Sequence, residues 1–380
     1  MTSNRALAPF KTSVFTVFSR LAREAGAIDL GQGFPDFDGP GWIKEAAFEA
    51  MRSGRNQYAP SIGAARLRRA VAADVEQRLG IGYDPESEVT VTTGATEGIA
   101  AAMLGLLDPG DEVLTFEPFY DSYPACAAMA GARLRAVPLH PPEFAFDPAE
   151  LEAAFSGGRV RMFVLNTPHN PTGRVFSRAE IERIVFLCRR HDALLVTDEV
   201  YEHLVFGENQ HHTPAAVEKE RTVRLSSAAK TFSLTGWKVG WACCGPELAD
   251  GLRRAHQFLV FCTAPPLQEA IAKALEQAPG RGYYEELRKR YRARREILLE
   301  GLSAAGYRVT PPEGTYFAMA APPGPEDSEA FVRRLIRESG VGAIPPGSFY
   351  LHPEHGAGWV RFAFCKRQKT LRAAVARLVG

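Results

Sequence analysis

A lysine at the end of a strand-like segment is the first residue in this sequence that could do chemistry. Lys230 follows the apolar run Thr222–Leu225, and a second lysine, Lys238, comes eight positions later. Burial and a neighbouring cation lower the pKa of a lysine and free its amine lone pair. Lys230 is therefore a candidate nucleophile for a carbonyl group. Taken alone, a lysine in such a segment is more often an ordinary surface residue.

Pyridoxal 5′-phosphate (PLP) is an aldehyde cofactor that such a lysine would bind as a Schiff base. This cofactor also needs an anion at its pyridine nitrogen, donors for its phosphate and cover for its ring. Asp198 follows the apolar strand Ala193–Thr197 and suits the pyridine nitrogen, although capping of the next turn is an equal alternative. Tyr201, three residues later, could direct its hydroxyl at the phenolic oxygen of the ring.

A phosphate site is predicted where the segment Gly94–Gly98 follows a strand and opens a helical pattern. A helix N-terminus after a glycine turn binds anions through its free amides and its dipole. Ala95 and Thr96 lie in this turn, and Ser227 and Lys238 could add a hydroxyl and a charge. Packing and capping alone remain an alternative for such a junction.

Three further residues are candidates for the ring face and for a substrate. Tyr120 lies just beyond a predicted strand, where an aromatic residue is more often part of the core. Asn170 lies in a rigid Pro-rich turn, and the Asn170–Pro171 bond is expected to be cis. Arg361 interrupts an apolar strand, so it is either a bidentate partner for a substrate carboxylate or half of a structural ion pair.

The elements that must position these residues alternate between strands and helices. Ser177 and Glu180 form a capping-box pair that begins one of the helices. Such alternation predicts an α/β fold, with a mainly parallel sheet flanked by helices and ligands at the carboxyl ends of the strands. The predicted strands are Glu88–Thr93, Glu112–Phe116, Arg133–Leu139, Arg161–Asn166, Ala193–Thr197 and Thr222–Leu225.

After about residue 280 the pattern changes to a smaller α+β domain. A charged helical pattern from Tyr284 to Leu302 precedes one β-like segment, Tyr307–Met319. We therefore predict a large domain over residues 36–279 and a small C-terminal domain over residues 280–380. Residues 1–35 are expected to pack with the small domain or with a partner subunit.

Composition excludes several other classes of protein. A net charge of +1 argues against nucleic-acid or membrane-surface binding through bulk electrostatics. The sequence has no C-x-x-C pair, signal peptide, membrane span, dinucleotide fingerprint or P-loop, and no metal is assigned to its histidines. A cytoplasmic enzyme with reduced cysteines is the simplest interpretation.

Taken together, these segments resemble the class I aminotransferases of PLP fold type I. The chain is most similar to the bacterial methionine (aromatic) and the kynurenine/glutamine aminotransferases. The resembling motifs occur in the family's order over about residues 30–365, namely LGQGFPDFDGP, NQYAP, TGATEG, EPFYDSY, NTPHNPTG, DEVYEH, SSAAKTFSLTGWKVGW, EGTYF and VRFAF. One departure is Ala229, where relatives often have glycine before the lysine.

The resemblance implies a role for each matching residue. Lys230 would form the Schiff base with PLP and move the catalytic proton, and Asp198 would pair with the pyridine nitrogen. Tyr120 would stack on the ring, while Tyr201 and Asn170 would contact its phenolic oxygen. The phosphate would be held by Ala95, Thr96, Ser227, Lys238 and, from the other subunit, Tyr58. Substrate would be bound by Gly33, Asn170 and Arg361.

The implied activity is transamination between a neutral, sulfur-containing or aromatic L-amino acid (methionine, phenylalanine, tyrosine, kynurenine or glutamine type) and a 2-oxo acid, in a homodimer. Phe34, Phe37, Phe119 and Tyr120 would suit such a side chain. A cysteine-S-conjugate β-lyase on the same fold is the alternative. A non-enzymatic PLP-binding regulator is more remote, because the motifs begin at about residue 30 and leave no room for a DNA-binding segment before them.

Overall fold

The computed structural model describes residues 4–380. Its strands are β1 (Ile28–Asp29), β2 (Val89–Thr92), β3 (Glu112–Glu117), β4 (Arg133–His140), β5 (Ala145–Phe146), β6 (Val160–Asn166), β7 (Leu194–Asp198), β8 (Thr222–Ser227), β9 (Gly240–Cys243), β10 (Arg308–Val309), β11 (Phe317–Ala321), β12 (Val341–Gly342) and β13 (Val360–Ala363). Its α-helices are α1 (Val14–Glu24), α2 (Gly41–Arg52), α3 (Ala65–Leu79), α4 (Gly94–Leu106), α5 (Ser122–Met129), α6 (Pro148–Ser156), α7 (Arg178–Arg190), α8 (Ala228–Thr231), α9 (Pro246–Leu259), α10 (Pro265–Gln277), α11 (Tyr283–Ala304), α12 (Ser328–Glu338) and α13 (Gln368–Val379).

The main sheet has eight strands in the order β2-β9-β8-β7-β6-β3-β4-β5. Its five central strands, from β8 to β4, are parallel, and the α/β fold class predicted from the sequence is confirmed. The sequence did not predict β9, which pairs antiparallel with both β2 and β8. A four-residue run of small and aromatic residues is too short to be identified by its periodicity, and its two neighbours decide its pairing.

Helices cover both faces of this sheet because its central strands are apolar on both sides. Val196 of β7 packs with the cluster that includes α4, α5 and α9. Leu195, one position earlier, packs with the cluster of α6 and α7 on the opposite face. The predicted capping box is confirmed at the start of α7, where Ser177 and Glu180 exchange hydrogen bonds. All of these elements place the carboxyl ends of β6, β7 and β8 at one edge.

The C-terminal part consists of α11, α12 and α13 with the antiparallel sheet β10-β11-β13. The predicted single segment Tyr307–Met319 is two strands, because the residues between β10 and β11 are irregular and Gly314 pairs instead with Val205. Residues near the N-terminus pack into this part of the molecule. Phe18 and Ala22 lie in its core, and β1 pairs with β12 in parallel. The domain boundaries at residues 35/36 and 279/280 stay a prediction.

Among residues 4–380, none of the helices has both the length and the apolar character that crossing a bilayer requires.

Helix α4, which begins at the predicted phosphate site, packs closely on α9 through two glycines. A Cβ at Gly105 would lie 2.7 Å from the backbone carbonyl carbon of Gly251. We expect Gly105→Ala to lower the free energy of unfolding by about 1–3 kcal/mol, since backbone must move to admit the methyl group. Urea unfolding followed by circular dichroism measures this change. Gly82→Ala is the control, because a Cβ there meets nothing within 4 Å; an equal effect of the two substitutions contradicts the prediction.

Candidate active site

The residues predicted to bind the cofactor and substrate come together where parallel strands end. Asp198 is the last residue of β7 and Ser227 the last of β8, and Lys230 follows in the short helix α8. Asn170 lies in the turn after β6, and the Asn170–Pro171 bond is cis, as predicted. Because β6, β7 and β8 are neighbours with the same direction, their following segments must meet at one edge of the sheet.

One cleft of about 260 Å³ contains every predicted site residue except Tyr58. Its predicted lining residues are Gly33, Ala95, Thr96, Tyr120, Asn170, Asp198, Tyr201, Ser227, Lys230, Lys238 and Arg361. Tyr58 is 82% exposed and packs against the ring of Phe261 at 5.1 Å, outside the cleft. The structure therefore joins residues that lie more than 300 positions apart in the sequence.

The substrate-side aromatic residues expected from the sequence are only partly in the cleft. Phe34 and Tyr120 line it. Phe119 is instead buried in the core beside the sheet, and Phe37 lies under the guanidinium of Arg294 at 4.1 Å. Sequence reasoning missed further lining residues, namely Phe15, Gln32, Ile99, Val200, Thr235 and Phe317. Four of them lie within the resembling motifs, but none of the six was assigned a role from the sequence.

Lys230 is half-buried, and its Nζ lies 5.9 Å from the ring of Tyr201 and 5.8 Å from that of Tyr316. Desolvation lowers the pKa of Lys230 to about 8, and the nearby charges of Lys238 and Arg361 act in the same direction. A large fraction of the amine is therefore neutral at mildly basic pH, which is the form that attacks a carbonyl or accepts a proton.

Asp198 is buried at the base of the cleft and is held by two donors. The hydroxyl of Tyr123 donates to its Oδ2 at 2.9 Å, and the backbone N–H of Val200 donates to Oδ1 at 3.4 Å. Desolvation raises the pKa of Asp198 to about 6, against the effect of these donors and of Lys230. A cationic ring nitrogen beside it would restore a low pKa. Tyr123 was not predicted, although it lies in the same motif as Tyr120.

An anion-binding end of the cleft is formed by the N-terminus of α4. Thr93, which precedes the helix, makes no side-chain hydrogen bond to cap it, so amides of the first turn remain available. Gly94 has a φ of +77°, and a Cβ there would lie 3.1 Å from Nζ of Lys238. The glycine therefore lets the ammonium group approach the helix end. Ser227 lines the cleft at the same edge.

Arg361 of β13 is buried and has no carboxylate partner among residues 4–380. Its Nη1 donates to Oδ1 of Asn170 at 3.1 Å and its Nη2 to the carbonyl oxygen of Gly31 at 2.9 Å. Its guanidinium also lies 4.1 Å from the ring of Phe317, and its Nε has no partner. Burial lowers the pKa of Arg361 to about 10. A buried guanidinium without a counter-ion is a site for an incoming carboxylate.

This set of groups fits PLP. The cleft offers a lysine amine with a lowered pKa, a buried carboxylate and an anion-binding helix end with an ammonium group beside it. These are the partners that the aldehyde, the pyridine nitrogen and the phosphate of PLP require.

The lowered pKa of Lys230 leads to a prediction for the ligand-free protein. Because its pKa falls from 10.5 to about 8 on folding, Lys230 destabilises the fold below pH 8, and this cost disappears as the pH rises through 10.5. We expect Lys230→Met to raise the free energy of unfolding at pH 7 by about 2 kcal/mol, and by much less at pH 10.5. Urea unfolding at both pH values measures the difference. Lys369→Met, at an exposed position, is the control; a gain for Lys230→Met that does not depend on pH contradicts the assigned pKa.

Comparison with known proteins places this geometry in a family. Residues 25–378 match the family described as aminotransferase class I and II. A protein of Mycobacterium tuberculosis described as a probable N-succinyldiaminopimelate aminotransferase is 47% identical over 393 residues, covering 100% of this chain and 98% of the relative. The methionine aminotransferase of Escherichia coli is 39% identical over 372 residues, covering 97% of this chain and 95% of the relative.

A solved structure agrees with these sequence matches. The N-succinyldiaminopimelate aminotransferase from Mycobacterium tuberculosis superposes with a TM-score of 0.96 at 46% identity, covering 100% of this chain and 99% of that one. Because the family match spans most of the chain, the protein belongs to the class I aminotransferases, PLP-dependent enzymes that move an amino group between an amino acid and a 2-oxo acid.

Proposed function

We propose that this aminotransferase acts on a neutral, sulfur-containing or aromatic L-amino acid, of the methionine, phenylalanine, tyrosine, kynurenine or glutamine type. The observation that carries the proposal is the charge distribution of the cleft. Arg361 is its single guanidinium among residues 4–380, and the two lysines of the cleft have roles at the cofactor. One guanidinium serves the α-carboxylate that every substrate carries, which leaves none for a second acidic group.

The lining that remains for a substrate side chain supports this choice. Phe15, Phe34 and Phe317 offer apolar surface, and Gln32 and Thr235 offer neutral polar groups. An apolar side chain gains free energy from burial against such rings, whereas an unpaired carboxylate would be costly there.

The cofactor would be held by residues at defined places in the cleft. The first turn of α4, with Ala95 and Thr96, and the side chains of Ser227 and Lys238 would hold the phosphate. Asp198 would hold a proton at the pyridine nitrogen. Tyr120 would cover the ring, and Tyr201 with Asn170 would donate to its phenolic oxygen. When bound, PLP supplies an electron sink that acidifies the α-hydrogen of the substrate.

Lys230 would carry the proton in this reaction. Its amine, with a pKa near 8, is neutral often enough to accept a proton from the α-carbon, and it is cationic often enough to return one. Arg361, held by Asn170 and Gly31, would orient the substrate carboxylate, so that the α-hydrogen faces Lys230. Gly33, which lines the cleft, would contribute backbone to the same subsite, and its carbonyl oxygen is held by the hydroxyl of Tyr316 at 2.6 Å.

N-Succinyldiaminopimelate is a second candidate substrate, favoured by the relative that is 47% identical over the full chain. Its additional carboxylates need cations beyond Arg361. Lys366 contacts Phe34, which lines the cleft. Its Nζ lies 4.9 Å from the centroid of the Phe34 ring and donates to the backbone carbonyl oxygen of Phe34 at 2.8 Å. Its ammonium group therefore lies beside a residue that lines the cleft.

A panel of amino donors with several 2-oxo acids tests the proposal. The purified holoenzyme is mixed with each donor, and the change in cofactor absorbance and the oxo-acid product are measured. We expect methionine or an aromatic amino acid to give a kcat/KM at least tenfold above those of aspartate and N-succinyldiaminopimelate. Preference for N-succinyldiaminopimelate supports the second candidate. Release of pyruvate and ammonia from cystathionine without an oxo acid supports a β-lyase.

Substitution of Arg361 tests the carboxylate subsite. Arg361→Lys keeps the charge but loses the guanidinium fork, so we expect KM for the amino acid to rise about 10- to 100-fold, the loss of one charged hydrogen bond. Affinity for PLP should be unchanged. Arg221→Lys, the same change at a position outside the cleft, is the control and should leave KM for methionine unaltered. An unchanged KM in Arg361→Lys contradicts the assignment.

We further propose that the enzyme is a homodimer in which Tyr58 reaches the partner's phosphate site. Tyr58, Phe258 and Phe261 expose large apolar side chains, with Phe258 at 87% exposure, and Tyr58 and Phe261 are in contact. A second copy of the chain would remove this surface from water.

The expected result is that Phe258→Asp converts the dimer to monomer, because a carboxylate cannot be buried without a partner. Light scattering after size exclusion measures the mass. Phe186→Asp is the control, since Phe186 is also exposed but lies on a different helix, α7. A monomeric unmodified protein contradicts the homodimer, and a dimeric Phe258→Asp protein contradicts this interface.

A further inference from the structure

A set of fully buried charges lies directly behind the cleft. Arg224 of β8 donates from Nε to Oε2 of Glu199 at 2.8 Å, and its Nη2 donates to Glu202. All three side chains are withdrawn from solvent. We refer to Arg224, Glu199 and Glu202 as the Arg224 cluster. Arg78 pairs with Glu202 at 2.7 Å from one side of it.

One backbone segment, residues 198–202, carries side chains of both the cleft and the Arg224 cluster. Asp198 and Tyr201 line the cleft. The residues that directly follow them, Glu199 and Glu202, turn to Arg224 instead. Any movement of the cluster therefore moves the segment that carries the carboxylate of Asp198.

Strand β8 shows the same division. Ser227 lines the cleft, whereas Ser226 donates from Oγ to Oε1 of Glu202 at 2.5 Å. The backbone N–H of Glu199 also donates to the carbonyl oxygen of Leu225 at 2.8 Å. The cluster thus ties the segment after β7 to the segment of β8 that leads to Lys230.

Hydroxyl groups and a histidine complete the shell of Glu199. Thr197 and Thr213 donate to its Oε1 at 2.7 and 2.6 Å, and Nε2 of His211 lies 2.9 Å from Oε2. Although burial opposes it, Arg224 holds the pKa of Glu199 and Glu202 below the usual range. Both carboxylates are therefore ionised and fixed in one arrangement.

These groups are better explained as an ion-pair cluster than as a metal site. Ligand atoms of Glu199, Glu202 and His211 lie within 4.8 Å of one another, a spacing that could suit a cation. However, the guanidinium of Arg224 already contacts both carboxylates, and that of Arg78 contacts Glu202. These cations supply the balancing charge and would repel a metal ion.

We infer that Arg224 is a positioning residue, which acts through Glu199 and Glu202 to fix Asp198 and Tyr201 and thereby sets the affinity of the enzyme for PLP. The inference rests on the proposed role of Asp198 at the pyridine nitrogen. Buried ion pairs add little net stability compared with neutral residues of similar shape, but their hydrogen bonds select one geometry. Here all four carboxylate oxygens have partners, and only Nη1 of Arg224 has none within residues 4–380. A preorganised carboxylate binds its partner without the cost of ordering it first.

The test separates positioning from stability. In the triple variant Arg224→Met/Glu199→Gln/Glu202→Gln no charge is left unpaired in the cluster, so the fold should persist, with a melting temperature within a few degrees of the unmodified protein. We expect its dissociation constant for PLP, titrated by absorbance on cofactor-free protein, to rise at least tenfold. The single variant Arg224→Lys, which keeps the positive charge, should lose less affinity for PLP than the triple variant. Arg221 lies just before β8 and forms an ion pair with Asp192. Arg221→Met, which removes this ion pair, is the control and should bind PLP normally.

A folded triple variant with unchanged PLP affinity overturns the inference. If the triple variant does not fold, Ser226→Ala is the deciding variant, because it removes only the hydroxyl that donates to Glu202. A severalfold weaker affinity for PLP supports the inference, and an unchanged affinity for PLP overturns it. Failure of the proposed function would appear differently, as unmodified enzyme that binds PLP but exchanges no amino group from any neutral donor.

Discussion

Lys230, Asp198 and Arg361 are held out of bulk water in one cleft without full compensation of their charges. Desolvation favours the neutral form of each group. It lowers the pKa of Lys230 to about 8 and that of Arg361 to about 10, and it raises the pKa of Asp198 to about 6. An arrangement of this kind costs free energy in the ligand-free protein and is repaid when ligands bring the missing charges. Much of the rest of the fold serves to hold these three groups in place.

The surrounding structure meets that cost with rigid, apolar and hydrogen-bonded support. The parallel strands β6, β7 and β8 are buried on both faces, so the segments that follow them have little freedom. Arg361 is held by Asn170, Gly31 and the ring of Phe317, which come from three separate parts of the chain. Behind the cleft, Arg224 is paired with both Glu199 and Glu202, and Nη1 of Arg224 is the one polar side-chain atom of this cluster without a hydrogen-bond partner in the described part of the chain.

Membership of the aminotransferase family explains the chemistry, whereas selectivity depends on what surrounds it. The cleft has one guanidinium and several aromatic rings, while Lys366 lies just beyond Phe34. Relatives of similar sequence are described as a methionine aminotransferase and as a probable N-succinyldiaminopimelate aminotransferase, so membership of the family does not by itself define the substrate.

The sequence alone predicted the α/β class, the family and most strands of the main sheet, because hydrophobic period, caps and motifs such as SSAAKTF are local signals. The roles of the site residues stay predictions. The sequence missed β9, placed Phe37 and Phe119 at the substrate, and did not identify Tyr123 or Arg224 as support. Only the tertiary structure decided these points. Strand pairing, the direction of a ring and the partner of a buried charge depend on residues far apart in the chain, whose proximity no local pattern encodes.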